Sequence, residues 1–135
     1  METTVNAWPL AGLLLDALSR RDFDALESCL DPEVRFRALL PRGPMELGTA
    51  TETADRFRTW FGGDDGFEVI DASVSQIGTK IYARWRIRMT PRDASEPTRV
   101  AEQHVYTTGS EQIATLDLLC SGFHSEADAP TCAIA

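Results

Sequence analysis

The stretch Lys80-Ile81-Tyr82-Ala83-Arg84-Trp85-Arg86-Ile87-Arg88-Met89-Thr90 decides the architecture. Ile81, Ala83, Trp85, Ile87 and Met89 share one parity; Tyr82, Arg84, Arg86 and Arg88 share the other. Successive side chains of a strand point to opposite faces, so this alternation predicts a half-buried strand, apolar inside and basic outside. Burying the three arginines instead would cost far more unless each were paired.

Phe67 to Ile77 reads as the strand before it. Pro91 to Pro97 is a polar loop, and Thr98 to Thr108 the strand after it. Gly109-Ser110 reads as a two-residue hairpin turn leading into a last strand, Glu111 to Gly122. That turn would set Thr108 opposite Glu111, Gln103 opposite Leu116 and Glu102 opposite Asp117. One face then carries Ala101, Gln103, Val105, Ala114, Leu116, Leu118 and Cys120. The other carries Val100, Glu102, His104, Tyr106, Ile113, Thr115, Asp117 and Leu119.

The first half is mostly helical. Leu10, Leu13, Leu14, Ala17 and Leu18 make an apolar stripe in a helix from Ala7 to about Ser19, capped by Asn6 with Pro9 in its first turn. Asp22 caps a short second helix with Phe23, Leu26, Cys29 and Leu30 on its buried side, ended by Asp31-Pro32. Val34 to Leu40 reads as a strand, and Pro41 to Gly48 as a loop. Thr49 and Glu52 have capping-box spacing and open a third helix. Ala54, Phe57, Trp60 and Phe61 form its stripe, and Gly62-Gly63 ends it. The fold class is therefore α+β: three N-terminal helices on an antiparallel sheet, one domain over residues 1–126 with a flexible tail at 127–135.

Composition narrows the partners. The 135 residues carry a formal net charge of −8, with twelve arginines and a single lysine, Lys80. An acidic chain opposes nucleic acid and anionic membrane surfaces, so neither is expected as a partner. No apolar run approaches the roughly 20 residues of a membrane helix. Met1 to Asn6 has no basic residue and no long apolar region follows, so no signal peptide is expected. Cys29, Cys120 and Cys132 are odd in number and widely spaced, which gives neither a disulfide framework nor a zinc pattern. Free thiols suit a cytoplasmic protein, and the arginine and alanine usage points to a GC-rich bacterial source. Cys132-Ala133-Ile134-Ala135 has the form of a prenylation box, but without a preceding polybasic segment it reads as a chance match.

The segment Arg21-Asp22-Phe23-Asp24-Ala25-Leu26, followed by Leu30-Asp31-Pro32-Glu33-Val34-Arg35-Phe36, resembles the opening of nuclear transport factor 2-like domains. It is most similar to their SnoaL-like, polyketide cyclase-like branch. Gly48 with the third helix, and Gln112 to Cys120, fit the same pattern, so the resemblance covers roughly residues 7 to 124. It implies a cone-shaped roll, with a strongly curved sheet around the helices and a pocket at the wide end. Such domains include cyclases, isomerases, dehydratases, epoxide hydrolases and non-catalytic modules, and they often pair through the outer sheet face. The fold cannot choose among these activities.

Family residues carry over unevenly. Ketosteroid isomerases of this superfamily place a general-base Asp before the proline ending the first strand, where this chain has Leu40 before Pro41. Their first-helix Tyr falls at Leu14. Their protonated Asp falls near Gln103, or near Glu102 with a gap. The late-strand Asp of SnoaL-like cyclases is nearest to Asp117.

Two arrangements follow from the parity of the last strands. In the favoured one the pocket is apolar, walled by Phe36, Ala38, Leu40, Trp60, Trp85, Val105 and Leu116, with Gln103 as the main polar group. In the rival, Glu102, His104, Tyr106 and Asp117 turn inward, and facing carboxylates beside a histidine form an acid–base constellation. Candidate catalytic residues are thus Asp117 with His104, or Gln103. Phe36, Leu40, Trp60, Trp85, Gln103 and Leu116 are candidate ligand contacts. Neither a phosphate loop nor a metal cluster is present in the sequence, so no metal or cofactor is expected. The sequence reads as a small-molecule-binding protein, a homodimer. It is either a cofactor-independent cyclase, isomerase or dehydratase acting on a mostly apolar metabolite, or a non-catalytic binding or dimerisation module.

Overall fold

In the computed structural model, which describes residues 9–127, three helices pack on one face of an open, curved sheet. The elements are α1 (Pro9–Ser19), α2 (Phe23–Ser28), β1 (Leu30–Leu40), β2 (Gly43–Leu47), α3 (Ala50–Phe61), β3 (Gly66–Ile77), β4 (Lys80–Thr90), β5 (Arg99–Gly109), β6 (Ile113–Cys120) and β7 (His124–Ser125). Strand order is β2-β1-β6-β5-β4-β3, with β7 added alongside β5. All pairings are antiparallel except β1 with β6, which run parallel. That seam corrects the purely antiparallel expectation. It arises because the chain leaves β1 for the β2–α3 excursion and returns only after three further strands. Register shifts between Leu30 and Arg35, Val69 and Asp71, and Thr108 and Gly109 bend the sheet where they occur.

The helix ends follow their capping chemistry. Asp22 accepts the Ala25 N–H at 3.0 Å at the start of α2. Thr49 Oγ1 accepts the Glu52 N–H at 3.1 Å, while Glu52 Oε1 reaches back to the Gly48 N–H at 3.3 Å. α3 ends at Gly62, whose N–H donates to the Arg58 carbonyl at 2.8 Å and where a Cβ would lie 2.6 Å from that oxygen. Arg21, at φ 53°, turns its guanidinium onto the carbonyls of Phe61, Gly63 and Asp65 at 3.1–3.2 Å. It also covers the Phe67 ring at 5.3 Å, and so clamps the loop that joins α3 to β3.

Sequence expectations shift in detail: α2 ends at Ser28, and β1 already begins at Leu30 and runs through Asp31-Pro32. Leu13 is 57% exposed; Leu10, Ala11, Leu14, Ala17 and Leu18 are the buried stripe of α1. Pro41 to Gly48 is not all loop, since β2 pairs with β1 from Phe36↔Leu47 to Leu40↔Gly43. Its Pro44 is tolerated because β2 is an edge strand, where a missing N–H breaks no ladder. The Asn6 cap and the Cys132 motif lie outside the described residues.

The β5–β6 hairpin departs from the two-residue turn. Observed pairs are Gln103↔Cys120, Tyr106↔Asp117 and Thr108↔Thr115, and a bulge then sets Gly109 opposite Ile113. The register is four residues from the one Gly109-Ser110 would impose. An even slip preserves the faces, so Gln103, Val105, Leu116 and Leu118 all point inward and are buried. Only beyond the bulge does parity reverse: Ile113 is buried and Ala114 exposed, the opposite of the sequence assignment.

Candidate functional site

The sheet can be read as rows of side chains running across the strands. On the inner face one row runs Cys120, Gln103, Trp85, Ala72, with Leu40 beside Cys120 because Leu39 pairs with Leu119. A parallel row runs Phe36, Leu116, Thr107, Ile81, Gln76. Four residues of strand separate the two rows, about 13 Å. The candidate contacts Phe36, Leu40, Trp85, Gln103 and Leu116 therefore share one face. Trp60 approaches from α3, edge-on to Phe57 at 5.3 Å, and Phe57 lies 6.1 Å from Phe36. Phe36, Trp85, Gln103 and Leu116 are at most 1% exposed. Leu40, Trp60, Cys120 and Phe123 are only partly buried.

Gln103 is the polar centre of this face. Its Oε1 accepts the Trp85 Nε1–H at 2.8 Å, and its Nε2 donates to Cys120 Sγ at 3.4 Å. The same sulfur takes the Gly122 N–H at 3.4 Å. Trp85 and Gln103 are directly paired across β4 and β5, so the ladder itself aims the indole at the carboxamide. Among the described residues the buried polar side chains are Thr53, Gln103 and Thr107, none of which titrates near neutral pH. Thr107 Oγ1, and Gln76 Oε1 in the same row, are buried without a hydrogen-bond partner.

The other candidates stand on the outer face and are not brought together. Asp117 gives both carboxylate oxygens to Arg37, at 2.7 Å each, and so pairs with β1 rather than with an arginine of β4. The Arg37 hydrogen bonds hold its carboxyl below the usual carboxylate range. His104 lies one row away, in a separate chain of contacts. Its Nδ1 meets Tyr82 Oη at 2.7 Å and its Nε2 meets Glu102 Oε2 at 2.7 Å. Glu102 Oε1 in turn accepts from Arg86 at 2.9 and 3.1 Å. Burial pushes the Glu102 carboxyl up, but hydrogen bonds from Arg86 and His104 outweigh it and keep the group below its ordinary range. The sequence reading places all four residues of this Tyr82–His104–Glu102–Arg86 series on one face, with Glu102 facing the β4 arginines, but joins His104 to Asp117 instead. The signal for the series is polar residues of one parity on two neighbouring strands.

The outer face also carries Leu39, Tyr106 and Leu119, all roughly half exposed. Tyr106 and Asp117 form a ridge between two shallow hollows of about 360 Å³ each. No helix among the described residues is long and apolar enough to cross a membrane.

Residues 13–116 match the model of the SnoaL-like domain. No curated protein matches the sequence. Among solved structures, a candidate polyketide cyclase of Xanthomonas campestris pv. campestris superposes with a TM-score of 0.65 at 18% identity, over 82% of this chain and 86% of that one. An LEH-like epoxide hydrolase of M. tuberculosis gives 0.64 at 16% identity, over 83% and 80%. A candidate ketosteroid isomerase of Kribbella flavida gives 0.59 at 17% identity, over 90% and 80%. At these identities the likeness is one of fold: the open α+β cone.

Proposed function

This chain belongs to the SnoaL-like domain family, and from that premise we propose that it binds a small, mostly apolar molecule against the inner face of its sheet. Phe36, Leu40, Trp60, Trp85 and Leu116 supply the apolar contact, and Gln103 the polar one. The observation that carries this reading is Gln103 itself. A carboxamide 1% exposed among apolar side chains spends its Nε2 on a sulfur, a weak acceptor, and keeps a second N–H for a guest. Binding is favoured over proton transfer because Asp117 and His104, the titratable candidates, point away from this face, and Asp117 is gripped by Arg37.

A catalytic role as a cofactor-independent cyclase, isomerase or dehydratase is the second reading. The ordered His104 favours it, because Glu102 and Tyr82 hold both of its ring nitrogens. Such chemistry would run on the outer face. A second copy of the chain is expected to cover part of that face, over Leu39, Tyr106 and Leu119. Free Cys29 and Cys120 suit a reduced, cytoplasmic setting.

Native mass spectrometry against a library of hydrophobic metabolites tests the main reading. Gln103→Leu should weaken the adducts, and Asp117→Asn and His104→Gln should leave them intact. Adducts lost in the latter two and kept in the first would move the function to the outer face.

A further inference from the structure

We infer that Trp85 sets the polarity of the inner site: it turns the Gln103 carboxamide so that the face offers a hydrogen-bond donor, and the ligand it takes carries an acceptor oxygen. The inference rests on the inner-face binding proposed above and adds the chemical class of the guest.

The donors and acceptors of the pair fix its orientation. An indole N–H can only donate. It lies 2.8 Å from the Gln103 side chain, so the group facing it must be the carbonyl oxygen Oε1. A flipped carboxamide would set two N–H groups against each other in the core. The orientation is therefore dictated by Trp85, which is wholly buried and directly opposite Gln103 in the β4–β5 ladder. Nε2 consequently faces the other way along the row, toward Cys120 and Leu40.

One Nε2 hydrogen goes to Cys120 Sγ at 3.4 Å, a weak acceptor already shared with the Gly122 N–H. The other has no acceptor among the described residues. Buried donors are rarely left unpaired. A ketone, lactone, ester or ether oxygen entering beside Leu40 and Cys120, which are only partly buried, would complete the amide. A guest N–H at the same place would oppose a donor with a donor. Trp85 is thus a positioning residue for specificity, acting through Gln103.

Three bicyclic probes of nearly equal size isolate the effect: indane, with no polar group, 1-indanone, which only accepts, and indole, which only donates. Calorimetric titration of the full chain should rank 1-indanone above indane by roughly three- to tenfold, and indole no better than indane. The Gln103 side-chain amide pair in a nitrogen–proton correlation spectrum, assigned by its loss in Gln103→Leu, should shift with 1-indanone and not with indane. Gln103→Leu should bind indane and 1-indanone alike. Trp85→Phe frees the carboxamide to turn and should bring the 1-indanone-to-indole ratio near unity. Should Trp85→Phe not fold, Gln103→Leu and the amide shift decide alone. Equal binding of the three probes by the unaltered protein, or an unmoved Gln103 amide, overturns the donor assignment while leaving inner-face binding intact. Failure of all three probes to bind overturns both.

Discussion

Arg37 and Asp117 meet side by side across the parallel seam of the sheet, Nε on Oδ1 and the terminal nitrogen on Oδ2, both at 2.7 Å. The two residues are 80 positions apart in sequence and directly paired in register. A carboxylate fixed in a two-pronged guanidinium grip is a poor proton shuttle, because the ionised form is the one the grip stabilises. Asp117→Asn should leave ligand binding unchanged, as measured by the same probes used for Gln103. Loss of binding in that variant would show the carboxylate acting where the structure does not put it.

Acid should weaken the fold through such groups. The carboxyls of Asp71, Asp117 and Glu102 are held below their ordinary range: Asp71 by Arg84, Asp117 by Arg37, and Glu102 by Arg86 and His104 against the opposing effect of burial. In the unfolded chain these groups take up protons near pH ~4. The folded protein resists protonation to lower pH, so their stabilisation is complete above the unfolded pKa and is lost as pH falls through the folded values. Melting temperature should stay level from pH 7 to about 5 and drop below about 4. Asp117→Asn should melt lower at pH 7 yet lose less between pH 5 and pH 3. An equal acid slope in both proteins would remove Asp117 from this account.

Removing the loop clamp should cost stability without touching the site. Arg21→Ala deletes three hydrogen bonds to the carbonyls of Phe61, Gly63 and Asp65 and places alanine at φ 53°. Denaturant unfolding should show a loss of about 1–3 kcal/mol. Arg21→Lys should recover part of it, because a single nitrogen, Nη1, meets all three carbonyls and an ammonium carries three N–H donors, though it loses the flat contact with the Phe67 ring.

Gln103→Leu should reveal a second cost in the same experiment. It strands the buried Trp85 Nε1–H, which has no other partner here, and should destabilise by about 1–3 kcal/mol. Gln103→Met keeps a weak sulfur acceptor for the indole but offers the guest no donor. It should lose any preference for 1-indanone even where the protein remains folded.

Light scattering tests the second copy on the outer face. Leu119→Glu introduces a charge at a side chain 44% exposed, so the monomer's own stability should move little. The mass at micromolar concentration should fall from two chains to one. A unit of one chain before the substitution would rule out this pairing.

Much of the fold was legible because its signals are local. The β4 alternation, the Asp22 cap and the Thr49–Glu52 box each act within a few residues. What could not be read depends on distant chain. Nothing in Val34 to Leu40 says that its neighbour will be β6, running parallel, so the Arg37–Asp117 pair stayed hidden and Asp117 was weighed as an acid–base group. β2 was hidden by Gly43 and Pro44, which break structure in most settings but are accepted at a sheet edge. The inward direction of Gln103 followed from parity alone. Its indole partner did not, since that required the β4–β5 register, in which Trp85 and Gln103 face each other.

The loop between Gly109 and Ile113 has an evolutionary corollary. Because the faces of β6 depend only on whether the slip is even or odd, insertions of two or four residues can accumulate there while every β6 side chain keeps its side. A single-residue insertion taken up as a change of register, rather than as a longer loop, would invert Leu116 and Leu118 with Asp117 at one stroke. Surviving lineages should therefore vary this hairpin in steps of two, lengthen the loop or add a compensating bulge. Gly109 already sits at one bulge and must stay glycine, because any side chain there would run into the Gln112 carbonyl oxygen of the loop.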